Sequence, residues 1–194
     1  MIMKWGRNRD LCLKKLTYKT VMLMALASGS RCSELASLDA TKMKILPDGI
    51  ALQLVKHKKN KKSAELPGQL FIPRLKSQKS LCPCYTLEKY LEKTKQARKI
   101  ENGVFRAMTR EQKTVGTATI GRWLTDCIRM AGTDIKAGRS IAHTTRSMST
   151  SAARNRGMST RTIMKAAGWK TDNMFEKYYY VPEFNAEFGR KVLQ

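Results

Sequence analysis

Between Thr17 and Ala27 the residues are mostly good helix formers and nearly all apolar on one side. That pattern predicts a buried helix, with Thr17 placed to cap it and Gly29 to stop it. A second short helix is expected to begin at Ser30 or Arg31 and to carry Glu34, Leu35 and Leu38. The period then shortens. Lys42 to Leu46 alternates polar with apolar, Pro47-Asp48-Gly49 is a strong turn, and Ile50 to Val55 reads as the returning strand of a β-hairpin. Gln69 to Pro73 can pair as a third strand after a loop containing Pro67 and Gly68. Beyond Cys84 the periodicity is helical, over Cys84–Ala97, Thr117–Met130, roughly Ala142–Arg156, Thr160–Ala167 and Asp172–Tyr180. Phe184 and Phe188 stand at helical spacing in a final apolar segment. The expected class is mainly α with a small three-stranded antiparallel β-sheet inserted.

Length and charge narrow this picture. With 194 residues, 42% of them hydrophobic, the chain can bury one sizeable core but hardly two. Lysine and arginine number 38 against 15 acidic residues, a net charge of +23 that calls for a polyanionic partner. The longest apolar run, Val21 to Ala27, is too short to span a bilayer, which favours nucleic acid over a membrane. Five cysteines, an odd and scattered set, fit reduced thiols in an intracellular protein. Cys82-Pro83-Cys84 is the one close pair, and His57 and His143 lie elsewhere, so no metal site is expected.

Three stretches carry candidate chemistry. In His143-Thr144-Thr145-Arg146 the three-residue spacing puts imidazole and guanidinium on one helical face, where the arginine fork suits phosphate oxygens and the histidine can pass a proton. By itself this is also a common surface pair. In Ala27-Ser28-Gly29-Ser30-Arg31-Cys32-Ser33-Glu34-Leu35, Arg31 opens a helix, so a cation and free helix N–H groups converge. The plainer alternative is a surface pair of Arg31 with Glu34. In Gly168-Trp169, followed by Tyr178-Tyr179-Tyr180, a phenol is a poor nucleophile until cations and proton carriers surround it. The aromatics read equally as packing residues.

Taken together and in this order, these elements resemble the tyrosine recombinase family. In that family an Arg in an Ala-Ser-Gly-x-Arg-x-x-Glu-Leu stretch, a hairpin Lys, His-x-x-Arg, a His or Trp and a Tyr form one site. The resemblance spans almost the whole chain. The run from His143 to Gly157, then Gly168-Trp169 and Phe175-x-x-Tyr178-Tyr179, is most similar to integrases of DIRS-type and related eukaryotic mobile elements.

The resemblance implies that Arg31 and Arg146 bracket a scissile phosphate, that His143 hydrogen-bonds it and helps shuttle a proton, and that Trp169 donates its indole N–H. Lys59 is assigned as general acid, with Lys56 as its close rival in the lysine run. Tyr179 is assigned as nucleophile, whereas counting nine residues from the tryptophan gives Tyr178. It further implies cleavage and rejoining of double-stranded DNA through a 3′-phosphotyrosine, with neither metal nor ATP nor any small-molecule substrate. Four protomers are expected to work together and to exchange a C-terminal helix, and the lysine run and the eukaryotic resemblance point to the nucleus.

On this reading residues 1–15 are a remnant or linker of an N-terminal DNA-binding arm, 16–181 the catalytic domain, and 182–194 the exchanged segment. Relatives usually bring that arm as a separate helical domain, so the chain is expected to be a fragment or a decayed element. Two other classes compete: an idle, domesticated DNA-binding module, and a basic RNA-binding protein in which the tyrosine constellation is coincidence.

Overall fold

The computed structural model describes residues 5–54, 69–99, 101–132, 141–167 and 169, the side chains at 99 and 141–143 excepted. Among these residues the elements run α1 (Leu13–Ser28), α2 (Cys32–Ala36), β1 (Leu38–Leu46), β2 (Gly49–Leu54), β3 (Gln69–Pro73), α3 (Pro83–Lys93), α4 (Thr117–Met130), α5 (Ile141–Asn155) and α6 (Thr160–Ala167). The three strands form one antiparallel sheet in the order β1-β2-β3. The mainly helical architecture with an inserted sheet is therefore as the hydrophobic pattern predicts.

The helix α1 lies at the centre. Leu16, Val21, Met24 and Ala25 have no exposed surface, and burying each large one contributes about 1.5–3 kcal/mol. The helix begins at Leu13, four residues before Thr17. The Thr17 hydroxyl donates 2.8 Å back to the Leu13 carbonyl inside the helix, so it does not cap. Lys19 is enclosed as well, its ammonium 3.3 Å from the Gly6 carbonyl, and burial pushes its pKa down. Residues 5–12 lie against the same core: the Asn8 amide donates to Thr86 Oγ1 at 2.9 Å, and Lys93 Nζ donates to the Leu11 carbonyl at 2.6 Å.

The second helix is shorter than its sequence suggests. Ser37 N–H reaches both Ser33 and Glu34 carbonyls at 3.1 Å, closing α2, and Leu38 opens β1 instead of ending the helix. Its carbonyl accepts from Val104 N–H at 2.9 Å, and Ala40 N–H donates to the Asn102 carbonyl at 2.8 Å. Pairing to a segment more than sixty residues away, invisible in local periodicity, thus wins over helix continuation. The hairpin turn lies where Pro47-Asp48-Gly49 predicts it. A Cβ at Gly49 would stand 2.3 Å from the Ile72 carbonyl and 2.6 Å from the Phe71 ring, so only glycine lets the neighbouring strand approach.

Ile50, Leu52, Leu70 and Ile72 turn one sheet face into the core, where they join α1, α3 and α4. A second, smaller apolar cluster of Ile163, Met164, Ala167 and Trp169 sits under α6, with Ala153 of α5 against it. The helix α5 joins the two regions, Ser149 Oγ donating 2.7 Å to the Leu26 carbonyl of α1. No helix among the described residues is long and apolar enough to cross a membrane.

Candidate phosphate-binding site

The site begins where α1 stops. Gly29 takes the left-handed conformation, φ 61° and ψ 23°, and its N–H closes the helix on the Ala25 carbonyl at 3.0 Å. Glycine adopts this geometry without the Cβ penalty. Ser28 Oγ donates to the Met24 carbonyl at 2.6 Å and lies 2.7 Å from Ser30 Oγ, which fixes the path into α2.

Arg31 caps the start of α2. The Glu34 carboxylate accepts from Arg31 N–H at 2.7 Å through one oxygen and from Arg31 Nη1 at 2.8 Å through the other. The Arg31 side chain remains 43% exposed, so it can leave the carboxylate for a stronger anion at little cost. The surface pairing with Glu34 is real, and it also orients the guanidinium. Cys32, next in the chain, is buried, and burial raises its thiol pKa, which keeps it protonated and unreactive.

Arg146 comes to the same place from α5. Its Nη1 donates to the Gly29 carbonyl at 2.7 Å, across 117 residues of chain and two residues from Arg31. Nη2 donates to the carbonyl of Ala167, the last residue of α6. The ring of Trp169 lies over the guanidinium, its centroid 4.7 Å from Cζ. Trp169 is itself anchored by its main-chain N–H, 3.0 Å from the Met164 carbonyl. Arg146 is only 1% exposed and Trp169 9%.

Of the residues singled out from sequence, Arg146 and Trp169 therefore meet at the end of α1, two residues before Arg31. The backbone of His143 lies in α5, one turn before Arg146, and its side chain falls outside what the structure describes. Lys59 with its rival Lys56, and Tyr179 with its rival Tyr178, lie outside the described residues. No three His, Cys, Asp or Glu side chains among the described residues gather as metal ligands.

Two groups have no counterpart in the sequence reading: the carbonyls of Gly29 and Ala167 that hold Arg146. The glycine was legible as a helix stop, and its left-handed turn is what frees that carbonyl for a side chain. Nothing in the sequence marks Ala167.

Beside this cluster a cavity of about 560 Å³ opens between α1, α5 and α6, lined largely by apolar groups such as Leu26, Met148, Ala153, Met158 and Ile163. Such walls do not suit a phosphate.

The sequence pattern of the phage integrase family matches residues 8–185, and the chain belongs to that family. No curated protein matches it in sequence. Among solved structures, the XerH site-specific recombinase bound to palindromic difH, a post-cleavage complex, is similar at TM-score 0.72 and 12% identity, over 99% of this chain and 49% of that one. XerA recombinase is similar at TM-score 0.62 and 17% identity, over 93% of this chain and 61% of that one. A lambda integrase tetramer bound to a Holliday junction is similar at TM-score 0.53 and 15% identity, over 95% of this chain and 47% of that one. The chain thus spans about half the length of XerH and about three fifths that of XerA. The fold is that of the tyrosine recombinase catalytic domain.

Proposed function

We propose that this chain cleaves and rejoins double-stranded DNA as the catalytic domain of a tyrosine recombinase. The observation that carries the reading is the meeting of Arg146 with the Gly29 carbonyl, because it brings a distant guanidinium to the helix junction that Arg31 follows by two residues. A buried guanidinium anchored two residues from a second, redirectable arginine suits a phosphodiester whose charge grows in the transition state.

Arg31 and Arg146 bracket the phosphate, and His143 hydrogen-bonds it and shuttles a proton. The phenol oxygen of Tyr179 loses its proton and attacks phosphorus. As that bond forms, the phosphorus bond to the 5′ oxygen breaks, and Lys59 gives the leaving oxygen its proton. The reverse step, attack by a 5′ hydroxyl, releases the tyrosine and rejoins a strand. No metal or nucleotide takes part in this scheme.

The partner is DNA, in keeping with the charge of +23 and with DNA-bound structural neighbours. Assembly as four protomers follows the lambda integrase tetramer by analogy. An origin in a DIRS-like mobile element and nuclear residence rest on the sequence resemblance and the lysine run.

Incubation with a nicked suicide substrate is expected to trap a covalent adduct that Tyr179→Phe abolishes while DNA affinity persists. An adduct surviving in that variant would move the nucleophile to Tyr178.

One observation favours a second reading, an idle DNA-binding module. Arg146 is 1% exposed and engaged with two main-chain carbonyls, a setting that a purely structural arginine shares. DNA binding without any adduct in the parent protein would decide for that module.

A further inference from the structure

We infer that Trp169 serves this site through the face of its ring, as the positioning residue that holds the Arg146 guanidinium in its plane. The inference rests on the recombinase reading and departs from the role that resemblance gives the residue, an indole N–H for the phosphate.

A guanidinium is flat, and its hydrogen bonds lie in its own plane. The carbonyls of Gly29 and Ala167 restrain Arg146 within that plane, one from the end of α1 and the other from the end of α6. Neither opposes tilting out of it. The Trp169 ring supplies a restraint from above that plane, with its centroid 4.7 Å from Cζ. Both partners are buried, at 1% and 9% exposure, where a cation over an indole is held more strongly than at a wet surface.

The ring is itself positioned. Trp169 N–H closes on the Met164 carbonyl at 3.0 Å, and the residue packs with Ile163, Met164 and Ala167. The end of α6 and the tryptophan just beyond it therefore present an acceptor and a ring to the same guanidinium. Phosphate geometry at Arg146 is set by a helix end that never touches the phosphate.

The test measures the rate of covalent adduct formation on a nicked DNA substrate at saturating DNA, alongside DNA affinity and thermal midpoint. Phenylalanine keeps a ring face and has no N–H, whereas histidine keeps a donor and offers a poor face. Trp169→His is expected to slow the reaction about thirtyfold, the scale of a desolvated cation–ring contact, and Trp169→Phe no more than about threefold. DNA affinity is expected to change less than about twofold in either, because many other cations carry it. In an Arg146→Lys background the histidine substitution is expected to add less than about threefold, since the flat group it positions is gone.

Trp169→His as fast as Trp169→Phe, or faster, overturns the inference and returns the role to the indole N–H. Equal loss in both overturns it as well. A parent protein that forms no adduct sinks the recombinase reading, not this contact. Thermal melts then decide: coupling between positions 146 and 169 seen with Trp169→His and absent with Trp169→Phe supports it, and no coupling with either overturns it.

Discussion

Arg31 and Arg146 reach one helix junction under opposite conditions. Arg31 is 43% exposed and paired with a carboxylate, while Arg146 is 1% exposed and held by two carbonyls and a ring. Water competes for the first and hardly for the second. An exposed ion pair contributes about 0–1 kcal/mol, so Arg31 is cheap to redirect toward a phosphate and nearly irrelevant to folding. A buried guanidinium removed from its acceptors leaves them unsatisfied, so Arg146 carries structure and, under the proposed mechanism, chemistry as well. Arg106 is a third case: it is 3% exposed and bound to Glu101, the Ala97 carbonyl and Thr114 Oγ1, between α3 and α4. It is an arginine of the framework.

The comparison breaks most sharply at Arg146. Replacing it with alanine is expected to lower adduct formation by about a thousandfold or more and to cost about 2–4 kcal/mol of stability, read by denaturant melts. Unchanged stability would mean that its carbonyl partners find water easily. Arg31→Ala is expected to lose about a hundredfold to a thousandfold in rate, with stability changed by less than about 1 kcal/mol. A large loss of stability there would erase the contrast.

Arg106→Ala should separate the framework arginine from the other two. It is expected to destabilise by about 3–5 kcal/mol, because it leaves buried partners unpaired, while adduct formation by the folded fraction stays near the parent rate. A smaller effect is expected for Glu34→Gln. It weakens the hold on Arg31 and the start of α2 by about 0.5–1 kcal/mol, measured as a modest fall in melting midpoint with DNA affinity kept or raised.

The smallest signal is alkaline. Burial and the 2.9 Å hydrogen bond to Asp126 push the Tyr18 phenol up to about 12. A phenol ionises near 10 once unfolded, so its contribution is complete below about pH 10 and is lost as pH rises through about 12. Tyr18→Phe is expected to flatten that part of the stability profile in pH-dependent melts, beside the losses from the buried thiols of Cys84 and Cys127.

Much of the framework was legible in the pattern of the chain. The amphipathic period of α4 gave Thr117–Met130, and the hairpin fell at Pro47-Asp48-Gly49. What was misread has one cause. The first turn of α1, with Lys14 and Lys15, looks polar, yet it forms because the rest of the helix is buried. Leu38 fits a helical spacing, yet its carbonyl is taken by Val104. At the site, Arg31, Arg146 and Trp169 were singled out from the sequence, and the partners that hold Arg146 were not. Arg31 with Glu34 lies within one turn and could be read, whereas Arg146 with Gly29 spans most of the chain.

By itself the order of residues determined the type and rough place of most helices and strands among the described residues, the heavy positive charge, and the repertoire of arginine, histidine, lysine, tryptophan and tyrosine. These follow from spacings of two to four residues and from composition, which are local quantities. Only the tertiary structure decided that Arg146 is held between the ends of α1 and α6 with the Trp169 ring against it. The reason is physical: every residue has the same main-chain carbonyl, so no letter in the sequence marks the one that packing leaves open to a guanidinium.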